Sequence, residues 1–190
     1  IINHNANKDW SVKNMRFGWF EFIDDIEVSG ALLKRVEELA VEKGMTAVNG
    51  PFGFTDMDRE GMLTEGFERM GAFTTLYNFS YYPLHMEKLG YNKDAEWTQR
   101  EFDVPNEVPE KLKQYSRIVQ QKYKVSVLHS KSKKELREYA IGLFKALNSA
   151  FVPLYGFTPI SQRQIEWYAD QFLPLINMDL VCLVVNEADK

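Results

Sequence analysis

The chain has 190 residues, 45% of them hydrophobic and 26% charged, which is enough apolar material for one generous domain or two small ones and excludes disorder, collagen or coiled coil as a description of the whole. Its net charge is -4, and Lys and Arg are dispersed among Asp and Glu, so the basic footprint of a nucleic-acid binder is missing. No stretch is long and apolar enough to cross a bilayer and the first residues resemble neither a signal nor a transit peptide, so we expect a cytoplasmic protein with neither nucleic acid nor membrane as a partner.

The chain opens on "IINHNANKDW", whose two leading apolar residues read as the tail of a strand, and closes on "LVCLVVNEADK", a strand running into a polar turn. Both ends read as cut, as in a piece of a longer protein. Residues 16–23, "RFGWFEFI", alternate large aromatics with polar or small residues and predict a strand with one buried face. A helix follows, with Val28, Leu32, Val36, Leu39 and Ala40 as its apolar stripe and Gly44 as a left-handed stop. "MTAVNGPFGF" predicts a short strand ended by Asn49, Gly50 and Pro51, which completes a βαβ-like unit.

Residues 53–80 show neither period and predict a long structured loop, a kind of segment that often carries function. A short helix is expected in "YYPLHMEKLG", opened by Pro83 and stopped by Gly90, and a strand over Glu96–Phe102. Residues 105–123 then read as a charged helical connector between a first unit, 1–104, and a second, 124–190. In the second unit a strand is followed by two helices with capping-box starts, Ser132 with Glu135 and Ser161 with Gln164, and by a final strand, "DLVCLVVNE".

The runs "RFGWFEFIDD", "LLKRVEELAVEKGMTAVNGPFGF", "GMLTEGF", "YYPLHMEKLGY" and "AFVPLYGFTPIS" resemble bacterial proteins built from two tandem acetyltransferase-like domains of the GNAT superfamily. The resemblance implies an α/β (α+β) fold, with a mixed, largely antiparallel sheet flanked by helices. The first unit would be the later half of one such domain and the second the early half of another. It also implies acyl transfer from acyl-CoA or acetyl-CoA to a small-molecule amine by direct attack, without metal or covalent intermediate, in the full-length protein. The rival is a non-catalytic binding or scaffolding domain whose cofactor loop has degenerated.

Two features test the enzyme reading. In that superfamily a glycine-rich turn and helix N-terminus bind the CoA pyrophosphate. Here the place reads "DDIEVSGALL", with Gly30 as its only glycine and three carboxylates, Asp24, Asp25 and Glu27. Ser29, Gly30 and Ala31 are the candidate phosphate contacts; the alternative is that Asp24 or Asp25 caps the helix. A general-acid tyrosine usually precedes the glycine of an "LG[FY]" ending by four residues, and Met86 occupies that place. Tyr82 and His85 are the candidate substitutes, with Tyr81 beside them, although core or pocket-wall roles are open to all three.

Other readings are negative or open. His4, His85 and His129 lie too far apart to predict a metal site, and Cys182, in "LVCLVV", is expected to be a buried thiol of a reducing compartment. Phe52, Phe54 and Phe67 can line a pocket or pack under the loop, and Asp56, Asp58, Glu60 and Glu65 can hold an amine or form a solvated acidic loop. Arg16 carries no assigned role, and no Ser, His and Asp set is visible.

Overall fold

The structure is a computed structural model that describes residues 1–72 and 75–186. It is mixed α+β, with two small sheets and six α-helices among the described residues. Its contacts divide the chain into two compact units, one formed by Ile1–Glu96 with Phe151–Pro159, the other by Trp97–Ala150 with the described residues from Ile160 onward.

In the first unit Ile1 and Ile2, expected as a strand tail, are neither helix nor strand, and α1 (His4–Asp9) follows; Asn3 starts the helix by accepting the Ala6 N–H at 3.0 Å. Strand β1 (Asn14–Arg16), helix α2 (Ile26–Glu42) and strand β2 (Ala47–Asn49) form the expected βαβ-like unit, with β1 and β2 parallel and Met15 opposite Val48. The strand predicted over 16–23 shares only Arg16 with β1; residues 17–23 are neither helix nor strand, and Trp19 among them takes a left-handed φ of 49°. Just past β1, Phe17 and Phe52 meet: the Phe17 N–H donates to Asn49 O at 3.1 Å and the Phe52 N–H to Phe17 O at 2.6 Å. Glycines permit this crossing, since a Cβ on Gly18 would lie 2.6 Å from Phe52 O and one on Gly50 2.3 Å from Phe17 O.

Helix α2 ends as predicted, at Gly44 with a φ of 70°. Of the expected stripe, Ala40 is buried and Val36 and Leu39 half-buried, but in the first two turns Ser29 and Leu33 take the buried places while Val28 and Leu32 are exposed. Leu33 joins Phe17 and Met86 in the core of this unit, flanked by Phe20, Val36, Val48, Met62, Leu89 and Tyr91. The loop from 50 to 79 has no helix or strand among its described residues, and α3 (Tyr81–Lys88) ends at Gly90, whose φ is 85°.

The second unit opens without the strand predicted over Glu96–Phe102, a segment that is neither helix nor strand and leaves Phe102 exposed. Helix α4 (Glu110–Tyr123) buries none of its residues. Strand β3 (Val125–Leu128) pairs antiparallel with β4 (Leu183–Asn186), Ser126 opposite Val185. Between them run α5 (Lys133–Phe151) and α6 (Gln162–Phe172), which bury Leu136, Ala140, Ile165, Tyr168 and Ala169. The capping box at Ser161 and Gln164 forms in full; at α5 the Ser132 hydroxyl accepts the Glu135 N–H, but the Glu135 carboxylate accepts from the Lys131 N–H. Cys182 is exposed, contrary to the expectation of a buried thiol: it precedes the paired residues of β4, where Val185 takes the buried place. Glu187, the last residue of the expected final strand, and Phe73 and Thr74 of the long loop lie outside the described residues.

Candidate functional site

The two adjacent aspartates of the first unit do different work. Asp25 is extended and caps α2, its Oδ1 accepting the Glu27 N–H at 2.8 Å, and its backbone oxygen accepts the Ser29 N–H at 3.1 Å. Asp24 turns instead to α3, where its Oδ1 lies 3.0 Å from His85 Nε2. The other ring nitrogen, Nδ1, is 2.9 Å from the Ser29 hydroxyl, which also lies 3.2 Å from the Ile26 carbonyl. A carboxylate can only accept, so in the singly protonated ring Nε2 carries the hydrogen and Nδ1 accepts from Ser29.

Asp24, His85 and Ser29 therefore form a hydrogen-bonded row that sequence spacing did not reveal, because 56 positions separate the serine from the histidine. The row is not a nucleophile with its base. Ser29 is 0% exposed and sits in the first turn of a helix, its hydroxyl enclosed between the Ile26 carbonyl and the His85 ring, so no acyl carbon can approach it. What the row does is fix an imidazole and tie the start of α2 to α3.

The candidate phosphate contacts diverge. Ser29 faces the interior, Ala31 faces solvent, and Gly30 lies where a Cβ would come within 3.3 Å of Leu89 Cδ2, a packing role for its small size. Asp25 already occupies the α2 N-terminus and no basic residue stands among 24–31, so these residues do not offer a pyrophosphate a cradle.

The candidate proton carriers lie together. Tyr82 is buried, donates to Glu21 Oε2 at 2.7 Å and accepts the Phe22 N–H at 3.3 Å; burial, then the bond to Glu21, pushes its phenol up to about 12. Tyr81 donates to Phe22 O at 2.7 Å. The Phe22 ring stacks on Tyr82, 4.2 Å between centroids, and lies 5.4 Å from His85. A phenol held this firmly keeps its proton at neutral pH.

A second polar cluster of the same unit surrounds Arg16, the residue to which the sequence assigned nothing. Arg16 is only 5% exposed, and its guanidinium donates to the carbonyls of Gly53 at 3.1 Å, Phe54 at 3.4 Å and Gly156 at 3.1 Å. It also lies over the Phe52 ring at 4.5 Å. Gly156 permits this, since with a φ of 74° its Cβ would fall 2.4 Å from Phe52 Cζ. Burial lowers the Arg16 pKa against the pull of nearby Asp56 and Glu60. The same burial raises Asp56, and lifts Glu60 to about 7 with the help of the Asp56 charge, while Arg16 holds it back. Glu60 Oε2, Asp56 Oδ1 and Asn49 Oδ1 are buried oxygens with no hydrogen-bond donor. Tyr155, also near Arg16, donates to Asp94.

Of the acidic loop, then, Asp58 turns inward on the backbone, accepting the Phe54 N–H at 2.7 Å, while Glu65 is exposed. Among the pocket candidates Phe52 is buried, Phe54 exposed and Phe67 half-buried. A signal for Arg16 existed in the sequence, a lone cation opening an aromatic run opposite a glycine-rich acidic loop, but nothing in it announced burial.

No protein-family model and no solved structure matches the chain. Protein YghO of Escherichia coli (strain K12) is 27% identical over 169 residues, which are 87% of this chain and 42% of that protein. A protein named bacterial ceramide synthase, from Caulobacter vibrioides (strain NA1000 / CB15N), is 24% identical over 170 residues, again 87% of this chain and 42% of its own. The chain thus spans less than half the length of these curated relatives, one of which bears an acyltransferase-like name.

Proposed function

We propose that the chain is part of an acyltransferase that passes an acyl group from a thioester donor such as acyl-CoA or acetyl-CoA to an amine by direct attack, the activity belonging to the intact protein. The observation that carries this reading is Glu60. An ammonium must lose a proton before its nitrogen can attack a carbonyl, and a carboxyl titrating at about 7 with an unpartnered buried oxygen is suited to take that proton near neutral pH. Asp56 adds a second acceptor, and Arg16 limits how basic the pair becomes. Ceramide is an amide, so the name of one relative denotes the same class of bond.

In this reading Tyr82 and His85 position the start of α2, and the donor's phosphates are held outside residues 24–31. The test follows thiol release from acyl-CoA by the full-length protein across a panel of amines. Glu60→Gln should lower kcat by about 10²- to 10⁴-fold and remove the limb of the pH profile near 7. Thiol release that ignores both the amine and Glu60→Gln would refute the proposal.

One observation favours a second reading, a non-catalytic ligand-binding or scaffolding unit: Asp25 fills the α2 N-terminus with its own carboxylate. Calorimetric titration of the full-length protein with acyl-CoA separates the two, since this reading requires no binding.

A further inference from the structure

We propose that α4 is a membrane-surface helix, lying in the headgroup region of a bilayer that contains anionic lipid. The inference is independent of the acyltransfer reading and rests on one element of the second unit. Helix α4 buries no residue, yet Leu112 is 56% exposed, Tyr115 51%, Ile118 55%, Val119 46% and Tyr123 60%. At 100° per residue Leu112, Tyr115, Val119 and Tyr123 fall within an arc of about 80°, an apolar stripe, and Ile118 lies about 60° further round.

The charges specify the occupant. Lys111, Lys113, Arg117 and Lys122 oppose a single acid, Glu110, and Lys124 follows as the cap, all within a chain whose net charge is -4. Helical geometry puts Lys111 and Lys122 on one border of this stripe, between it and Ile118, and Lys113 and Arg117 on the opposite face. The two border lysines lie along the aromatic rings of the stripe, Lys111 Nζ 5.7 Å from the Tyr115 centroid and Lys122 Nζ 5.2 Å from that of Tyr123. These cation–π contacts gather the ammonium groups beside two tyrosines, whose amphipathic rings suit a bilayer surface. Glu110 pairs with Lys113 at 3.4 Å, and the remaining cations leave the helix strongly positive, which matches an anionic surface. The expectation of no membrane partner weighed only spanning segments; no described helix is long and apolar enough to cross, and a helix lying in the interface has no need to be.

The test is flotation of the full-length protein with vesicles of phosphatidylcholine alone or with one third phosphatidylglycerol. We expect flotation with the anionic vesicles only, weakening as salt rises. Changing both border lysines, Lys111→Gln with Lys122→Gln, should weaken it roughly 20- to 30-fold, about fivefold per charge. Ile118→Asn with Val119→Asn should abolish it with every charge kept. Because α4 buries no residue, neither pair should move the melting temperature, which separates lost binding from lost folding. Absence of the protein from the anionic vesicles overturns the proposal, as does flotation that neither pair alters; the stripe then faces protein.

Discussion

The Ser29 hydroxyl, 0% exposed, lies 2.9 Å from Nδ1 of a histidine 56 positions later, and joins the first turn of α2 to the middle of α3. Ser29→Ala leaves that ring nitrogen buried without its donor, which should cost about 1–3 kcal/mol. Urea unfolding followed by far-UV circular dichroism measures it; a cost near zero would mean that water donates to the ring nitrogen in place of the hydroxyl.

Adjacent aspartates should respond unequally. Asp25→Ala removes a helix cap and should cost about 1 kcal/mol. The Asp24 side chain is 68% exposed, so the solvated pair that it makes with His85 should contribute only about 0–1 kcal/mol, less in high salt. Denaturation of the two variants in parallel at low and high salt checks both the order and the salt effect.

Glu60 gives stability a pH slope of defined sign. Its folded value, about 7, is above the usual 4.5, so the folded state holds the proton more tightly. The resulting stabilisation is fully present below about 4.5 and is lost as pH rises through about 7. Asp56, also raised by burial, acts in the same direction. Thermal melts across that window should therefore fall less steeply for Glu60→Gln than for the unaltered chain. A steeper fall in the variant would reverse the assignment.

Gly156→Ala meets two obstacles at once. A left-handed φ of 74° costs a residue with a Cβ about 1–2 kcal/mol, and the contact with Phe52 Cζ adds an overpacking cost of about 1–3 kcal/mol. Because Phe52 is the ring beneath Arg16, the same variant should also disturb the environment of Glu60 and shift the pH slope. Melts at several pH values record both effects.

What the sequence revealed was local chemistry with a fixed spacing. The α2 and α3 stops at Gly44 and Gly90 and the cap at Asp25 follow from residues within one turn of each other. The α2 stripe holds at Val36, Leu39 and Ala40 but is one position off at Val28 and Leu32, which are as apolar as the residues that pack, and the serine that takes a buried place looks polar until His85 is beside it. The alternation in "RFGWFEFI" was real, but residues 17–23 form no strand, Trp19 among them being left-handed, and alternation alone names no partner for Glu96–Phe102. Arg16 was illegible because its acceptors are three backbone carbonyls, which every residue carries. Cys182 was misjudged from apolar neighbours, although a two-stranded sheet with one covered side leaves alternate positions in solvent.

The crossing of Phe17 and Phe52 gives the first unit an internal clock. The bond from the Phe52 amide to Phe17 O closes the chain around α2 and β2, directly after the β1–β2 pairing. The deuterium exchange of this amide is consequently governed by the opening of that whole motif, whereas amides at the exposed end of α2 exchange through fraying. The most slowly exchanging amide need not belong to a helix here; it is expected in an irregular loop, at the place where two glycines let the backbone pass.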